Sequence, residues 1–238
     1  MSRLHVVTPV KDSLVTTLRT IDSVVSSVTS FAFDYTVYND FSTAETTAHL
    51  ESLAAVGHWT LVNLQELTSH PSPNYRLVLE IAQGRAMADD AHLLIVESDV
   101  VVGRETLQRL YDYAATLGAP GMIAAVTTDP DGRINFPYLY ARRFAPGVVA
   151  TRKRLSFCCT LLTRPYLGAF AFADLDPSKS WFDVPVSRKS LALGFTNYLV
   201  TALPVTHAPH SSRPWKHLKY TRPLQYWWEK LTQQRDRI

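Results

Sequence analysis

RLHVVTPVKDSLVTTLRTIDSVVSSVTSFAFDYTVYNDFST, residues 3–43, contains the unit on which the fold is built. Residues 3–9 are a β-branched run stopped by Pro9. Leu14, Leu18, Ile21, Val24, Val25 and Val28 then recur at helical spacing. That spacing predicts a helix over about 13–27, with Asp12 or Ser13 as its N-cap. Residues 33–38 (FDYTVY) return to a strand pattern. The succession continues with a helix over 43–56 capped by Ser42, a strand over 59–63 and a helix over 74–88 behind Pro71 and Pro73. A strand over 92–96 (HLLIV) follows. This βαβαβαβ order predicts an α/β fold with a mostly parallel central sheet and helices on both faces. Ligands of such sheets bind beyond the carboxyl ends of the strands, which singles out residues 8–12, 39–43, 65–74 and 97–99.

Further along, the pattern loosens. Residues 104–117 predict a helix and 121–127 a fifth strand, and Asp129-Pro130-Asp131-Gly132 is a turn signal. Residues 135–153 mix aromatic and basic side chains and read as irregular. Residues 154–163 read as a buried strand, 184–193 as a helix closed by Gly194, 195–205 as strand material and 223–234 as a terminal helix. No repeat, low-complexity tract or linker divides the chain, so residues 1–212 read as one domain followed by a basic, aromatic tail at 213–238.

Charge divides the chain more sharply than pattern does. Residues 1–133 carry 8 basic and 16 acidic side chains, a net of −8, and residues 134–238 carry 16 and 5, a net of +11. The whole-chain value of +3 hides this split. It suggests an acidic half suited to a cation and a basic half that faces an anion. A chain of 238 residues with 46% hydrophobic content can bury a full core, which excludes wholesale disorder. Cys158 and Cys159 are adjacent, which excludes a disulfide scaffold, is too little for a zinc cage and fits a reducing compartment. MSRLHVVTPVKDS reaches Lys11 before any long apolar run, so no signal peptide is expected. No stretch approaches the ~18–20 apolar residues of a membrane span. A cytoplasmic protein is expected, with peripheral contact at the inner face of the cell membrane open.

Glu97-Ser98-Asp99 ends the apolar run LLIV. Carboxylates at i and i+2 of an extended segment point the same way and can hold a hard cation such as Mn²⁺ or Mg²⁺. They equally suit a helix start before Arg104. Asp40, in Asn39-Asp40-Phe41-Ser42-Thr43, is placed to accept hydrogen bonds from a nucleobase or ribose, or to cap the next helix.

Together these features resemble the family-2 glycosyltransferases of the GT-A fold. HVVTPVKDSLVTTLRTIDSV (5–24) resembles the family's first strand, loop and helix. VYNDFSTAETTAHLE (37–51) resembles its D-G-S-T-D segment, and LLIVESDV (93–100) its DxD motif. FCCTLLTR (157–164), WFDVPVSRKSLALGF (181–195) and VTHAPHSS (205–212) follow in the family's order. The resemblance implies inverting transfer of a hexose from a nucleotide-sugar donor, UDP favoured, to a glycan or glycolipid hydroxyl, with Mn²⁺ or Mg²⁺ as cofactor. It implies a nucleotide-sugar and metal half at 1–128 and an acceptor and catalytic half at 129–212. It makes Asp183 the catalytic base, with Asp174 and Asp176 as runners-up. Asp99 and His207 become metal ligands, with His210 a competitor. Thr8, Pro9, Asn39, Asp40, Asn74, Glu97, Ser98 and Arg188 become nucleotide-sugar contacts, and Lys189 and Arg213 further candidates for the diphosphate.

The tail RPWKHLKYTRPLQYWWEKLTQQRDR sets Trp215, Trp227 and Trp228 among seven basic residues. It suits an anionic membrane surface, a sugar platform or a helix packing its tryptophans on the core. Three other readings remain. A nucleic-acid or membrane binding module explains the +11 but not the strand-end acids, and no nucleic-acid motif is present, so no nucleic-acid partner is expected. A nucleotidyltransferase needs a Gly-rich phosphate loop after the first strand, where this chain has TPVKDS. An inactive transferase-like partner is the third.

Overall fold

The computed structural model describes residues 4–179, 181–208, 218 and 222–232. Nine strands form one sheet in the order β3-β2-β1-β4-β8-β6-β9-β5, with β7 also on β9. The strands are β1 (Leu4–Val10), β2 (Phe33–Asn39), β3 (Thr60–Asn63), β4 (His92–Val96), β5 (Val100–Val101), β6 (Pro120–Thr128), β7 (Val148–Thr151), β8 (Cys159–Leu162) and β9 (Thr196–His207). β3, β2, β1 and β4 are mutually parallel. β8 runs antiparallel between β4 and β6, and β6 pairs parallel with β9. β1, β2, β3, β4, β6 and β9 therefore share one direction, and their carboxyl ends meet along one edge.

Each face is covered by helices, and the strands show it in a two-residue period. Leu93 and Ile95 of β4, with Met122, Ala124 and Val126 of β6, face α3 (Tyr75–Ala88), α5 (Arg164–Ala169) and α6 (Asp183–Ala192). Leu94 and Val96, with Ile123 and Ala125, face α1 (Leu14–Val25), α2 (Ala44–Ala54) and α4 (Thr106–Thr116). Burial on both sides explains the unbroken apolar runs. A last helix, α7 (Pro223–Thr232), follows. Among the described residues no helix is long and apolar enough to cross a membrane.

Four expectations need correction. Neither Asp12 nor Ser13 caps α1: Ser13 is left-handed and its side chain makes no cap bond, while Asp12 accepts from the Thr43 amide at 2.8 Å. Thr43, not Ser42, caps α2 through the Thr46 amide, and Ser42 instead accepts from the Asp12 amide. Asp12 and Ser42 thus bond the two strand-end loops to each other rather than each capping its own helix. The irregular segment 135–153 contains a 3₁₀ turn, Leu139–Arg143, and β7. Only Cys159–Leu162 of the expected strand 154–163 is a strand. His210, Arg213, Trp215 and most of the tail lie outside the described residues.

The seat of α6 on the sheet is close. At Gly121, on β6, an added Cβ would meet Phe195 Cβ at 2.8 Å and the Ser190 hydroxyl nearer still. Ser190 donates to Asn197 of β9 at 2.7 Å, and the Asn197 amide donates to the Ser187 carbonyl at 2.9 Å. Gly121→Ala should lower the unfolding free energy by about 1–3 kcal/mol in urea titration. An unchanged midpoint would mean that α6 is not held this tightly.

Candidate active site

A cleft of about 690 Å³ opens where the strands' carboxyl ends meet. Three groups of residues build it.

The first group joins β2 to α3. Asp40 follows β2, and its amide donates to the Val10 carbonyl at 2.8 Å. Its carboxylate accepts from the Ser72 hydroxyl (2.7 Å), the Asn74 amide N–H (2.9 Å) and the Asn74 side chain (2.8 Å). Three of about four acceptor positions are filled, so Asp40 anchors the 72–74 loop and keeps one position for a ligand. Asn74 occupies the N-cap position of α3 but makes no cap bond; its side-chain N–H groups donate to Asp40 and to the His70 carbonyl. Pro9 lines the cleft beside them.

The second group joins β4 to β9. After Val96 the chain turns, with the Val100 amide on the Glu97 carbonyl at 3.1 Å, and immediately pairs Val100 with His207 through β5. This short ladder sets Asp99 Oδ2 3.5 Å from His207 Nε2. The Phe136 carbonyl, 2.8 Å from His207 Nδ1, fixes that nitrogen as the donor and leaves Nε2 facing Asp99. Burial opposes a proton on His207, but the Asp99 hydrogen bond and the charges of Asp99 and Glu97 outweigh it and raise the pKa. Burial, then the charge of Asp99, pushes Glu97 up to about 7. Burial, then Glu97 and Asp99, drives the Cys158 thiol well up, and it donates to Glu97 at 3.5 Å.

The third group is Asp183 with Arg154. Asp183 opens α6, is buried, and forms an ion pair with Arg154. Ser187, one turn along, accepts from the Leu155 amide at 2.9 Å and so fixes the segment bearing Arg154 against the helix. Tyr75 stacks on Phe157 with ring centroids 6.1 Å apart, and its hydroxyl is buried without a hydrogen-bond partner among the described residues. Burial, then the charges of Glu97 and Asp183, raises Tyr75 well above the phenol range.

Of the residues singled out in the sequence, Pro9, Asp40, Asn74, Glu97, Ser98, Asp99, Asp183 and His207 line the cleft. Three do not. Thr8 is buried and accepts from the Tyr35 hydroxyl at 3.0 Å. Asn39 is buried and donates to Thr47 and Asn63, both at 2.9 Å. Arg188 is exposed on α6 outside the cleft, as is Lys189. Asp174 and Asp176 are exposed and also lie outside it, so of the three candidate bases the cleft contains Asp183. Sequence reasoning missed Lys11, Tyr75, Arg154 and Lys179, all in the lining. Lys11 stood in the strand-end loop, where its charge was signal enough. Tyr75 and Arg154 reach the site by tertiary contact and carried no local mark.

The carboxylate oxygen is a donor suited to Mn²⁺ or Mg²⁺, and the imidazole nitrogen of fixed tautomer is accepted more readily by Mn²⁺. Asp99 and His207 would hold such an ion, with Glu97 beside them. Burial and the charge of Asp99 raise Glu97, and a divalent ion would offset that charge, so Asp99 and His207 fit one. Elsewhere, His5, Asp34 and Asp89 bring ligand atoms within 4.8 Å of one another at the amino ends of β1 and β2, with His5 and Asp89 hydrogen-bonded at 2.8 Å.

Glu97 yields a pH prediction for ion-free protein. Its folded pKa of about 7 lies above the ordinary 4.5, so its cost to stability is absent below the lower value and complete above the higher. Glu97→Gln should therefore raise Tm in chelator well above neutral pH and leave it nearly unchanged near pH 4. Equal shifts at both would mean that ionisation of the buried Glu97 carboxyl is not the cause.

The sequence profile described as "Glycosyl transferase family 2" matches residues 5–167. No curated protein matches the chain significantly in sequence. Among solved structures, the mannosyltransferase PcManGT from Pyrobaculum calidifontis, in complex with GDP-Man and Mn²⁺, superposes with a TM-score of 0.66 at 13% identity. The match covers 97% of this chain and 64% of that one. S. aureus TarS 1–349 with UDP-GlcNAc gives 0.64 at 17% identity over 89% of this chain and 60% of that one. GalNAc-T7 with UDP, GalNAc and Mn²⁺ gives 0.57 at 12%, over 89% and 45%. The chain thus spans about three fifths of the length of the first two, and the likeness is one of fold. With the family profile covering more than half of its residues, the chain belongs to glycosyl transferase family 2.

Proposed function

We propose that the chain is a metal-dependent, inverting glycosyltransferase that moves a hexose from a nucleoside-diphosphate sugar, UDP favoured, to a hydroxyl of a glycan or glycolipid in bacterial surface glycan synthesis. One observation carries this reading. A single cleft at the carboxyl strand ends gathers Asp40 with Asn74, Glu97 and Asp99 with His207, and Asp183 with Arg154. PcManGT, TarS and GalNAc-T7, each solved with a nucleotide or nucleotide-sugar, support it.

In this reading residues 1–128 hold the donor and 129–212 the acceptor and catalytic groups of one domain, with 213–238 as a tail meeting the inner face of the cell membrane. Pro9, Asp40 and Asn74 bind the nucleoside end, and Glu97 and Ser98 the ribose or diphosphate. Asp99 and His207 hold Mn²⁺ or Mg²⁺, which when bound neutralises diphosphate charge. Asp183 takes the proton of the acceptor hydroxyl as its oxygen attacks the anomeric carbon opposite the leaving group. The bond from that carbon to the diphosphate oxygen breaks, and its electron pair departs with the nucleotide. Arg154, Lys179 and Lys11 line the same cleft and meet the charge that develops there.

A thermal-shift panel of nucleotide-sugars with and without Mn²⁺ tests the reading, because a ligand of the folded state raises Tm by mass action. Stabilisation by at least one nucleotide-sugar, larger with Mn²⁺, is expected; none with any donor would overturn it. Asp99→Ala should abolish the Mn²⁺-dependent part, and an unchanged response would remove Asp99 as a ligand. Asp183→Asn should keep donor stabilisation and lower turnover by about 10²–10⁴-fold. Retained turnover would move the base elsewhere.

A further inference from the structure

One side of α7 is anchored and the other is bare. Tyr226 is 3% exposed and lines the cleft. Leu224, Trp227, Trp228 and Leu231 are 87%, 53%, 70% and 75% exposed. At about 100° per residue these four fall within an arc of about 100°, on the side away from Tyr226. An ordinary surface helix turns such a stripe inward. Here it points out, next to the mouth of the cleft.

The surrounding charge indicates what covers it. Trp181 carries the Arg154 guanidinium over its ring at 5.3 Å and the Lys230 ammonium at 5.7 Å, so α7 lies beside the 152–154 segment. Arg152 and Lys153 are exposed there, and Lys179 lines the same opening. From Arg213 onward the sequence has seven Lys or Arg against two acids, Glu229 and Asp236. A protein partner of ordinary composition would match the apolar stripe but not this excess of cations. Indoles seat at headgroup level, leucines enter the acyl boundary, and cations meet lipid phosphates.

We propose that α7 is an in-plane anchor that docks the mouth of the cleft on an anionic phospholipid surface, and that the acceptor is carried on a lipid. The second half of this proposal rests on the glycosyl-transfer reading; the docking does not. Because Tyr226 belongs to both α7 and the cleft lining, a docked helix brings the opening to the depth of the headgroups.

Co-sedimentation of the full chain with phosphatidylcholine vesicles, with or without about one third phosphatidylglycerol, tests the docking. Binding to the anionic vesicles should be at least about tenfold tighter than to neutral ones and should weaken with salt. The double variant Trp228→Glu/Leu231→Glu should lose at least about tenfold in binding at unchanged Tm, both side chains being exposed. No binding, or equal binding by the variant, overturns the proposal. So does a lipid-free dimer that the variant dissolves in sedimentation velocity, which would assign the stripe to a second copy. Donor stabilisation, followed in parallel, separates the two readings. Vesicle binding without any donor response keeps the anchor and removes the transferase, and the converse removes the anchor alone. With both in place, transfer to a lipid-linked sugar in vesicles should fall in the double variant, while transfer to a water-soluble acceptor should not. Equal loss with both acceptors would overturn the lipid-carried acceptor.

Discussion

Like charges held in a space with little water repel strongly, and the cleft of this chain is organised around that repulsion. Glu97 and Asp99 leave the end of β4 two residues apart, and Asp183 arrives from α6 on the other side. Each has a counterweight: Arg154 pairs with Asp183, His207 faces Asp99, and Glu97 accepts the weak bond of the Cys158 thiol. Burial, then the charge of Asp99, raises the Glu97 pKa, and a cation placed there would offset that cost.

The supporting structure keeps these groups from relaxing apart. The β5–β9 ladder fixes Asp99 against His207 through backbone bonds. The Ser187, Ser190 and Asn197 bonds hold α6, and with it Asp183, against Leu155 and β9. Asp12, Ser42 and Thr43 tie the loops after β1 and β2 together at the Asp40 end of the cleft. Three of the residues in these loops, Asp12, Ser13 and Phe41, have positive φ, the backbone cost of turning tightly beside the cleft.

The first four strands and three helices were legible because burial on both faces leaves continuous apolar runs, and amphipathic helices leave a period. β8 was legible as a buried strand but not as an antiparallel one, since a buried strand carries no mark of its direction, and two-residue β5 is too short to leave a pattern. At the site, acids that end apolar runs could be read: Asp40, Glu97 and Asp99. Thr8 and Asn39 were misplaced for one shared reason, strand parity. Thr8 shares a face with Val6 and Val10, and Asn39 with Tyr35 and Val37, all packed toward α1, α2 and α4. Arg188 failed by helical phase, as Val184, Ser187 and Ser190 turn inward and leave it outside. Arg154 was hidden in a run of three basic residues whose geometry is settled by the bond of the adjoining Leu155 amide to Ser187, 32 residues further along.

The place of β8 in the sheet has a consequence for how the protein is made. β8 is synthesised after β6 yet sits between β6 and β4. Until residue 162 has emerged from the ribosome, the parallel half of the sheet and β6 have no common neighbour, and the edge of β4 carries unpaired backbone groups. His207 and the β5 ladder come later still. A nascent chain can therefore assemble the β1–β4 layer early, but the pairing that brings Asp99 to His207 must wait until residue 207 has been synthesised.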